Sequence, residues 1–299
     1  MQKIKSLYKE LTSLHWEIGF LDNTYEGIVN GDELKLNLVT HDFPNSWFAD
    51  PFILDVTDDT IIVLVEEVTK KISKGRISKL VIDKRTNHVV EKKIILERPG
   101  HLSFPIIYRR DGKIFVYPEN SEDGTLNIYE YNPVDDSMTL VYELSDRPLT
   151  DAVYTDLFAK HQLFTTEAEY ANGLQLDQYE WNDEQQKFVY VTSHTFSENI
   201  ARMAGNFFTV NGKVYRPAQE SNTNYGHGIS LQETTFEDGK WIFKEVRRMT
   251  SPHPILNQSF HTLNSYKKVI VVDVLGKRHP VASKIISMLV ILLKKCLKR

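Results

Sequence analysis

The residues of this 299-residue chain whose types and spacing could do chemistry are acids and a histidine at regular places. Asp50 in ADP, Asp151 in TDA and His261 in FHT each stand where an extended stretch begins. Glu66 or Glu67, Glu119, Glu167, Gln219 and Asp273 stand where the following stretch ends. One carboxylate can take a proton or attack, and a second acid can hand a proton to a departing oxygen. Asp50 suits the first role. Glu119 or Glu67 suits the second, provided burial raises its pKa towards neutrality. Arg202 and Arg216 offer rigid guanidinium forks that fit phosphate or carboxylate. Trp47, His101, Gln219, Tyr225 and His261 complete the set expected to touch a substrate. Each also has a structural reading: an Asp before Pro caps a strand start, Arg216 and Gln219 bond neighbouring strands, and Trp47, Tyr225 and the histidines pack.

The elements that must position these residues form an internal repeat, the first feature to look for in a chain of this kind. The copies read ADPFILDVTDDTIIVLVEE from Ala49, SFPIIYRRDGKIFVYPE from Ser103, TDAVYTDLFAKHQLFTTE from Thr150, MAGNFFTVNGKVYRPAQE from Met203 and FHTLNSYKKVIVVD from Phe260. Two further strand signals follow in most units, such as GRISKLVID then EKKIILE, with DG, NG and NPVDD as turns. Four strands per repeat make a propeller blade. The expectation is an all-β, five-bladed β-propeller over residues 1–276, its blades opening near 49, 103, 150, 203 and 260. A β-sandwich also uses many short strands but does not explain the repeat. In a propeller the opening strands line one channel, so residues about fifty positions apart meet.

Composition narrows the rest. The 41% hydrophobic content suffices for a full core. The single cysteine, Cys296, excludes a disulfide framework or a Cys-based zinc site and fits a reducing compartment. No metal motif and no cofactor is expected. The first twenty residues lack an apolar export signal, which predicts a cytoplasmic protein. The net charge of -4 is divided unevenly: residues 277–299 hold seven basic residues and no acid, leaving -11 on the remainder. An acidic body argues against nucleic acid. The tail VASKIISMLVILLKKCLKR has an apolar run far short of the roughly 20 residues that span a bilayer. It predicts a short amphipathic helix, either packed on the propeller or lying on an anionic membrane surface, peripheral on the inner membrane face.

WFADPFI at Trp47, the VEE and GRI pair at Glu66 and Gly75, HLSFP at His101, YPENS at Tyr117, RMAGNFF at Arg202, GKVYRPAQESNTNYGHGI at Gly212 and FHTLN at Phe260 together resemble the N-terminal-domain family of glucosamine inositolphosphorylceramide transferase, including bacterial relatives from surface-polysaccharide clusters. The resemblance implies that in the plant protein this domain precedes a separate glycosyltransferase domain, one not expected in the present chain. A more distant resemblance is to the five-bladed glycosidases of glycoside hydrolase family 43. It implies Asp50 as base, Asp151 as the aspartate that tunes a neighbour's pKa, and His261 as the central histidine. Where those enzymes carry their acid glutamate this chain reads RMAG, with Met203 nearest. Losing that acid while gaining arginines favours transfer over hydrolysis, because a phosphate-bearing leaving group is stabilised by cations rather than by a proton. The resemblance implies a glycan, a sugar nucleotide or a lipid-linked sugar as substrate. The function expected is glycosyl transfer in surface polysaccharide or glycolipid biosynthesis. A non-catalytic glycan-binding propeller and a family 43-like hydrolase are the alternatives.

Overall fold

Two-residue turns with left-handed backbone set the hairpins of this chain. Asp111 and Gly112 have φ of 52° and 74°, Asn211 and Gly212 of 50° and 78°, and Asp238 and Gly239 of 49° and 76°. Such turns match the twist of antiparallel strands, which is why DG and NG occupy them. The computed structural model of the protein describes residues 11–157, 161–286 and 288.

The chain begins with β1 (His15–Leu21), a short helix α1 (Tyr25–Asn30) capped by Thr24 and Gly31, and β2 (Leu36–Leu38). Blade one follows as β3 (Ser46–Val56), β4 (Thr60–Thr69), β5 (Arg76–Asp83) and β6 (His88–Leu96). Blade two comprises β7 (Ser103–Arg110), β8 (Lys113–Glu119), β9 (Leu126–Asn132) and β10 (Ser137–Ser145). Blade three comprises β11 (Leu149–Thr155), β12 (Gln162–Glu167), β13 (Gln175–Asn182) and β14 (Lys187–Thr195). Blade four comprises β15 (Phe208–Val210), β16 (Lys213–Glu220), β17 (Gly228–Glu237) and β18 (Lys240–Thr250). The last strands, β19 (Leu263–Tyr266) and β20 (Val269–Gly276), form blade five with β1 and β2, in the order β19, β20, β1, β2.

The protein is a five-bladed β-propeller, as the repeat predicts, and a short helix α2 follows over 280–286. Blade five joins the two ends of the chain: β1 pairs antiparallel with β20, setting Ile18 opposite Asp273. The opening segments of blades four and five precede their strands, with Met203 and Ser259 making isolated bridges to Ala218 and Leu275. Between blades the faces are apolar and closely packed; Phe52 and Phe104 meet edge to face at 5.0 Å and both are buried. Burying such a side chain contributes roughly 1.5–3 kcal/mol, so the repeating aromatic and β-branched residues hold the ring together.

One local feature determines the centre. β3, β7 and β11 each slip register near their start, between Ala49 and Phe52, Ser103 and Ile106, and Thr150 and Val153. At these bulges Asp50, Phe104 and Asp151 take φ of 48°, 44° and 45°. A left-handed conformation is costly for a residue as bulky as Phe. The bulge also removes each residue's N–H from its ladder, and a buried N–H must find another acceptor.

Candidate functional site at the centre of the propeller

Carboxylates supply those acceptors, each from the preceding blade. The Asp50 N–H donates to Asp273 Oδ2 at 3.0 Å, the Phe104 N–H to Asp50 Oδ2 at 3.1 Å, and the Asp151 N–H to Glu119 Oε2 at 3.2 Å. Blade four joins through side chains. Gln219 Nε2 donates to Asp151 Oδ2 at 2.7 Å, and Arg202 Nε donates to the same oxygen at 2.5 Å. Arg202 also reaches Glu119 Oε2 at 3.2 Å and Asn172 Oδ1 at 3.2 Å. Asp50, Glu119, Asp151, Arg202, Gln219 and His261 are thus brought together from five blades.

Blade five supplies His261, whose Nδ1 lies 2.9 Å from Asp273 Oδ1 and whose Nε2 lies 3.6 Å from Asp50 Oδ1. Thr262 Oγ1 donates to Asp50 Oδ1 at 2.9 Å. Trp16, from β1, stacks on the His261 ring at 4.2 Å. Tyr225 meets the same imidazole edge-on at 5.3 Å and lies 5.5 Å from the Arg202 guanidinium carbon. Gly226 makes this possible: its φ is +54°, and a Cβ there would lie 2.6 Å from the His261 Cβ. The carboxylates themselves are recessed, with Asp50, Glu119 and Asp151 5%, 9% and 2% exposed, whereas Tyr225 is 41% exposed.

Burial and crowding set the protonation states. Burial pushes the Asp50 carboxyl up to about 7, against the opposing pull of His261 and with help from the charges of Asp151, Glu66 and Asp273. Glu119 is pushed up to about 8 by burial first and then by Asp151, with Arg202 opposing. His261 goes up to about 9: burial would lower it, but Asp273 and Asp50 outweigh that. Near neutrality this gives a protonated Glu119, a charged imidazolium and an Asp50 poised between its two forms.

Glu67 does not belong to this centre, and the expectation that it could act as an acid is corrected. Its side chain points into blade one, where Ser46 and Ser78 hydroxyls donate to it at 2.6 Å and Lys92 pairs with it. Burial alone would raise its pKa, but the bonds from Lys92, Ser46 and Ser78 prevail and hold it at about 2. Its neighbour Glu66 faces the other way and accepts from His101 Nε2 at 3.0 Å, which raises the His101 pKa. His101 Nδ1 in turn accepts the Gly75 N–H at 3.0 Å.

Arg216 is likewise outside the centre. Fully buried, it donates to Gln232 Oε1 at 3.0 Å, to the carbonyls of Ile200 and Ala201 and to Met203 Sδ, and it faces the Phe196 and Phe243 rings. With no carboxylate bonded to it, burial lowers its pKa to about 9. It anchors the segment that carries Arg202. Trp47 is half-buried on β3, three residues before Asp50. Glu167 is taken up by Arg147 and Tyr179. Sequence reasoning passed over Trp16 and Thr262; an aromatic residue in a strand outside the repeat carried no signal.

Among the described residues, Asp50, His261 and Asp273 could hold a cation, their ligand atoms lying within 4.8 Å of one another. Those atoms already satisfy each other: Asp273 Oδ1 accepts from His261 Nδ1 and from the N–H groups of His261 and Thr262. The donor set fits a hydrogen-bonded network. By contrast, Gln219 Oε1, beside Asp151, is a buried acceptor with no partner among the described residues.

A family model described as the N-terminal region of glucosamine inositolphosphorylceramide transferase 1 matches residues 36–251. The chain belongs to that family. Proteins named glucosamine inositolphosphorylceramide transferase 1 are similar to it: that of Oryza sativa subsp. indica is 25% identical over 204 residues, and that of Arabidopsis thaliana 27% identical over 205. These alignments take in 63% and 64% of this chain but 26% of each plant protein, so the chain spans about a quarter of the length of the curated relatives it matches. Among solved structures, a β-xylosidase aligns over 79% of this chain and 93% of its own at a TM-score of 0.53, with 10% identity. A family 43 glycoside hydrolase from Xanthomonas citri aligns over 77% and 86% at a TM-score of 0.51, also with 10% identity. At such identity the likeness establishes the fold.

Proposed function

We propose that this member of the glucosamine inositolphosphorylceramide transferase N-terminal family is a carbohydrate-active propeller that transfers a glycosyl group in its central funnel, in the assembly of a surface polysaccharide or glycolipid. The observation that carries the reading is the meeting of Asp50, Glu119, Asp151 and Arg202 at one buried centre, with Tyr225 beside His261 and Arg202. A glycosyl transfer needs a carboxylate to take a proton or attack and a group to manage the departing oxygen. Asp50 is the base or nucleophile. Asp151 keeps the Glu119 proton in place by its charge, and that proton meets the departing oxygen. Arg202 stays bonded to Asp151 and can also face a phosphate-bearing leaving group. The free Gln219 Oε1 is available to a sugar hydroxyl, and Tyr225 to the apolar face of a sugar ring.

The names of the plant relatives, transferases of inositolphosphorylceramide, favour a sugar nucleotide or lipid-linked sugar over a soluble glycan as substrate. The basic segment 277–299 fits a cytoplasmic protein held at an anionic inner-membrane surface. Part of that segment lies outside the described residues; among those described, no helix is long and apolar enough to cross a membrane. One observation favours a second reading, a glycan-binding propeller without catalysis: Asp50, Glu119 and Asp273 each already accept a backbone N–H, which is reason enough for their presence. The hydrolase reading is weaker, because Met203, at the position of the usual acid, is buried against Arg216.

The deciding experiment compares cell-surface glycan from cells carrying wild type, Asp50→Asn or a deletion, with the variant's folding verified by its thermal transition. A folded Asp50→Asn protein that reproduces the deletion's loss of sugar supports catalysis. Normal glycan from Asp50→Asn, together with loss on deletion, would assign the funnel to binding.

A further inference from the structure

At the far ends of the inner strands lies a second concavity that the central site does not use. β7 carries Phe104 near its start and Tyr108 and Arg110 at its end; β11 likewise runs from Asp151 to Tyr154. At about 3.3 Å per residue this places the tyrosines and Arg110 roughly 10–20 Å along the channel from the carboxylate ring, towards the opposite face. Between blades two and three these ends enclose a cavity of about 360 Å³, walled by Tyr108, Tyr117, Tyr154, Trp181 and Phe188, with Arg110 and Asp183 at the exposed rim.

We propose that this cavity is a second carbohydrate site, taking one neutral sugar ring. The polar atoms of several wall residues are already engaged. The Tyr154 N–H donates to the Tyr117 hydroxyl at 3.1 Å, the Tyr154 hydroxyl lies 2.5 Å from His161 Nδ1, and Trp181 Nε1 donates to Asp183 Oδ1 at 3.0 Å. What these rings present inward is their carbon surface. Tyr108 meets Tyr154 edge to face at 5.1 Å, and Trp181 meets Phe188 in the same way at 5.3 Å. Crossed rings of this kind leave a rounded space rather than the parallel slot a nucleobase needs. A pyranose has the matching character: an apolar C–H face for the rings and a rim of hydroxyls for Arg110 and Asp183. The opposite charges of those two residues disfavour an anion or a cation, and an alkyl chain gains nothing from either. The volume suits a ligand site. A neighbouring cavity of about 270 Å³ shares Tyr108, Tyr117 and Tyr154 and reaches Asn206 and Phe207, giving the sugar a direction in which to extend. The inference rests on this cavity alone and does not depend on what the central funnel does.

The test is saturation-transfer NMR on the full chain with a panel of glucose, galactose, mannose, xylose, N-acetylglucosamine and their disaccharides. The expected result is transfer to the ring C–H protons of at least one sugar. Its affinity should fall about tenfold or more in Trp181→Ala, as for an aromatic anchor, and a few-fold in Arg110→Ala. The Arg110 side chain is exposed, so its removal leaves the fold intact and separates binding from unfolding. Silence from the whole panel, sugar binding unchanged in both variants, or a cavity that takes the apolar dye anilinonaphthalene sulfonate while refusing every sugar would each overturn the proposal.

Discussion

Arg202 Nε lies 2.5 Å from Asp151 Oδ2 while its terminal nitrogen reaches Glu119, so one guanidinium from blade four joins the carboxylates of blades two and three. Replacing it with methionine leaves Asp151 buried without its cation. Breaking a buried pair in this way costs about 3–5 kcal/mol. Arg202→Met is therefore expected to lower the thermal transition by several degrees, and Arg202→Lys to recover only part of the loss, because an ammonium lacks the fork that spans both acids. Calorimetry on the two variants checks this.

The pH profile of the proposed transfer follows from the two carboxyls. Asp50 must be ionised, which favours pH above about 7, and Glu119 must keep its proton, which favours pH below about 8. A narrow bell centred between these values is expected. Glu119→Gln should slow the reaction and abolish the alkaline limb while leaving the acid limb in place. An alkaline limb unchanged in that variant would remove Glu119 from the mechanism.

Glu67 makes stability itself depend on pH. Its carboxyl is depressed from 4.5 to about 2 in the folded state, so its contribution is present above about pH 4.5 and is lost as pH falls towards 2. Glu67→Gln should be less stable than wild type at neutral pH, with the difference shrinking between pH 4.5 and 2. Denaturant midpoints measured across that range decide it.

Gly226→Ala tests the placement of Tyr225. A left-handed alanine costs roughly 1–2 kcal/mol, and the added Cβ would press on His261 at 2.6 Å. The variant should stay folded with a lower melting temperature, and its glycan output should match that of Tyr225→Ala. Output equal to wild type would mean that the ring is not part of the site.

The described part of the C-terminal segment carries Val281, Ile285 and Met288, 71%, 54% and 53% exposed, at the spacing of one helix face. With the seven basic residues of 277–299, this predicts sedimentation with phosphatidylglycerol vesicles but not with phosphatidylcholine vesicles, weakened by added salt. A chain ending at Lys277 should stay in the supernatant with both. Equal partitioning of the shortened chain would place the contact elsewhere.

The blades were legible because each unit repeats its turn chemistry and its bulged opening: ADPF, SFPI and TDAV share one backbone shape. The closing pair β1 and β2 was not legible, since it completes a blade without copying the repeat's opening. At the site, Asp50, Asp151 and His261 could be placed from the repeat alone. Glu66 and Glu67 could not be told apart, because neighbours on a strand face opposite sides and one residue of register decides between a surface towards the centre and a lysine-lined interior. Arg216 misled for a related reason: a guanidinium satisfied by carbonyl groups and rings leaves no acidic partner in the sequence to reveal that it is spent.

Blade five gives the centre a place in time. Asp50 accepts from Thr262, faces His261, and donates its N–H to Asp273, across more than two hundred residues, through a blade whose strands come from both ends of the chain. A ribosome has made blades one to four before any of those three partners exists. Until then Asp50 lacks both its imidazolium and the acceptor for its own N–H. The central network is therefore incomplete throughout synthesis and is assembled only when the ring shuts, so an unfinished chain holds Asp50 without the partners that set its charge.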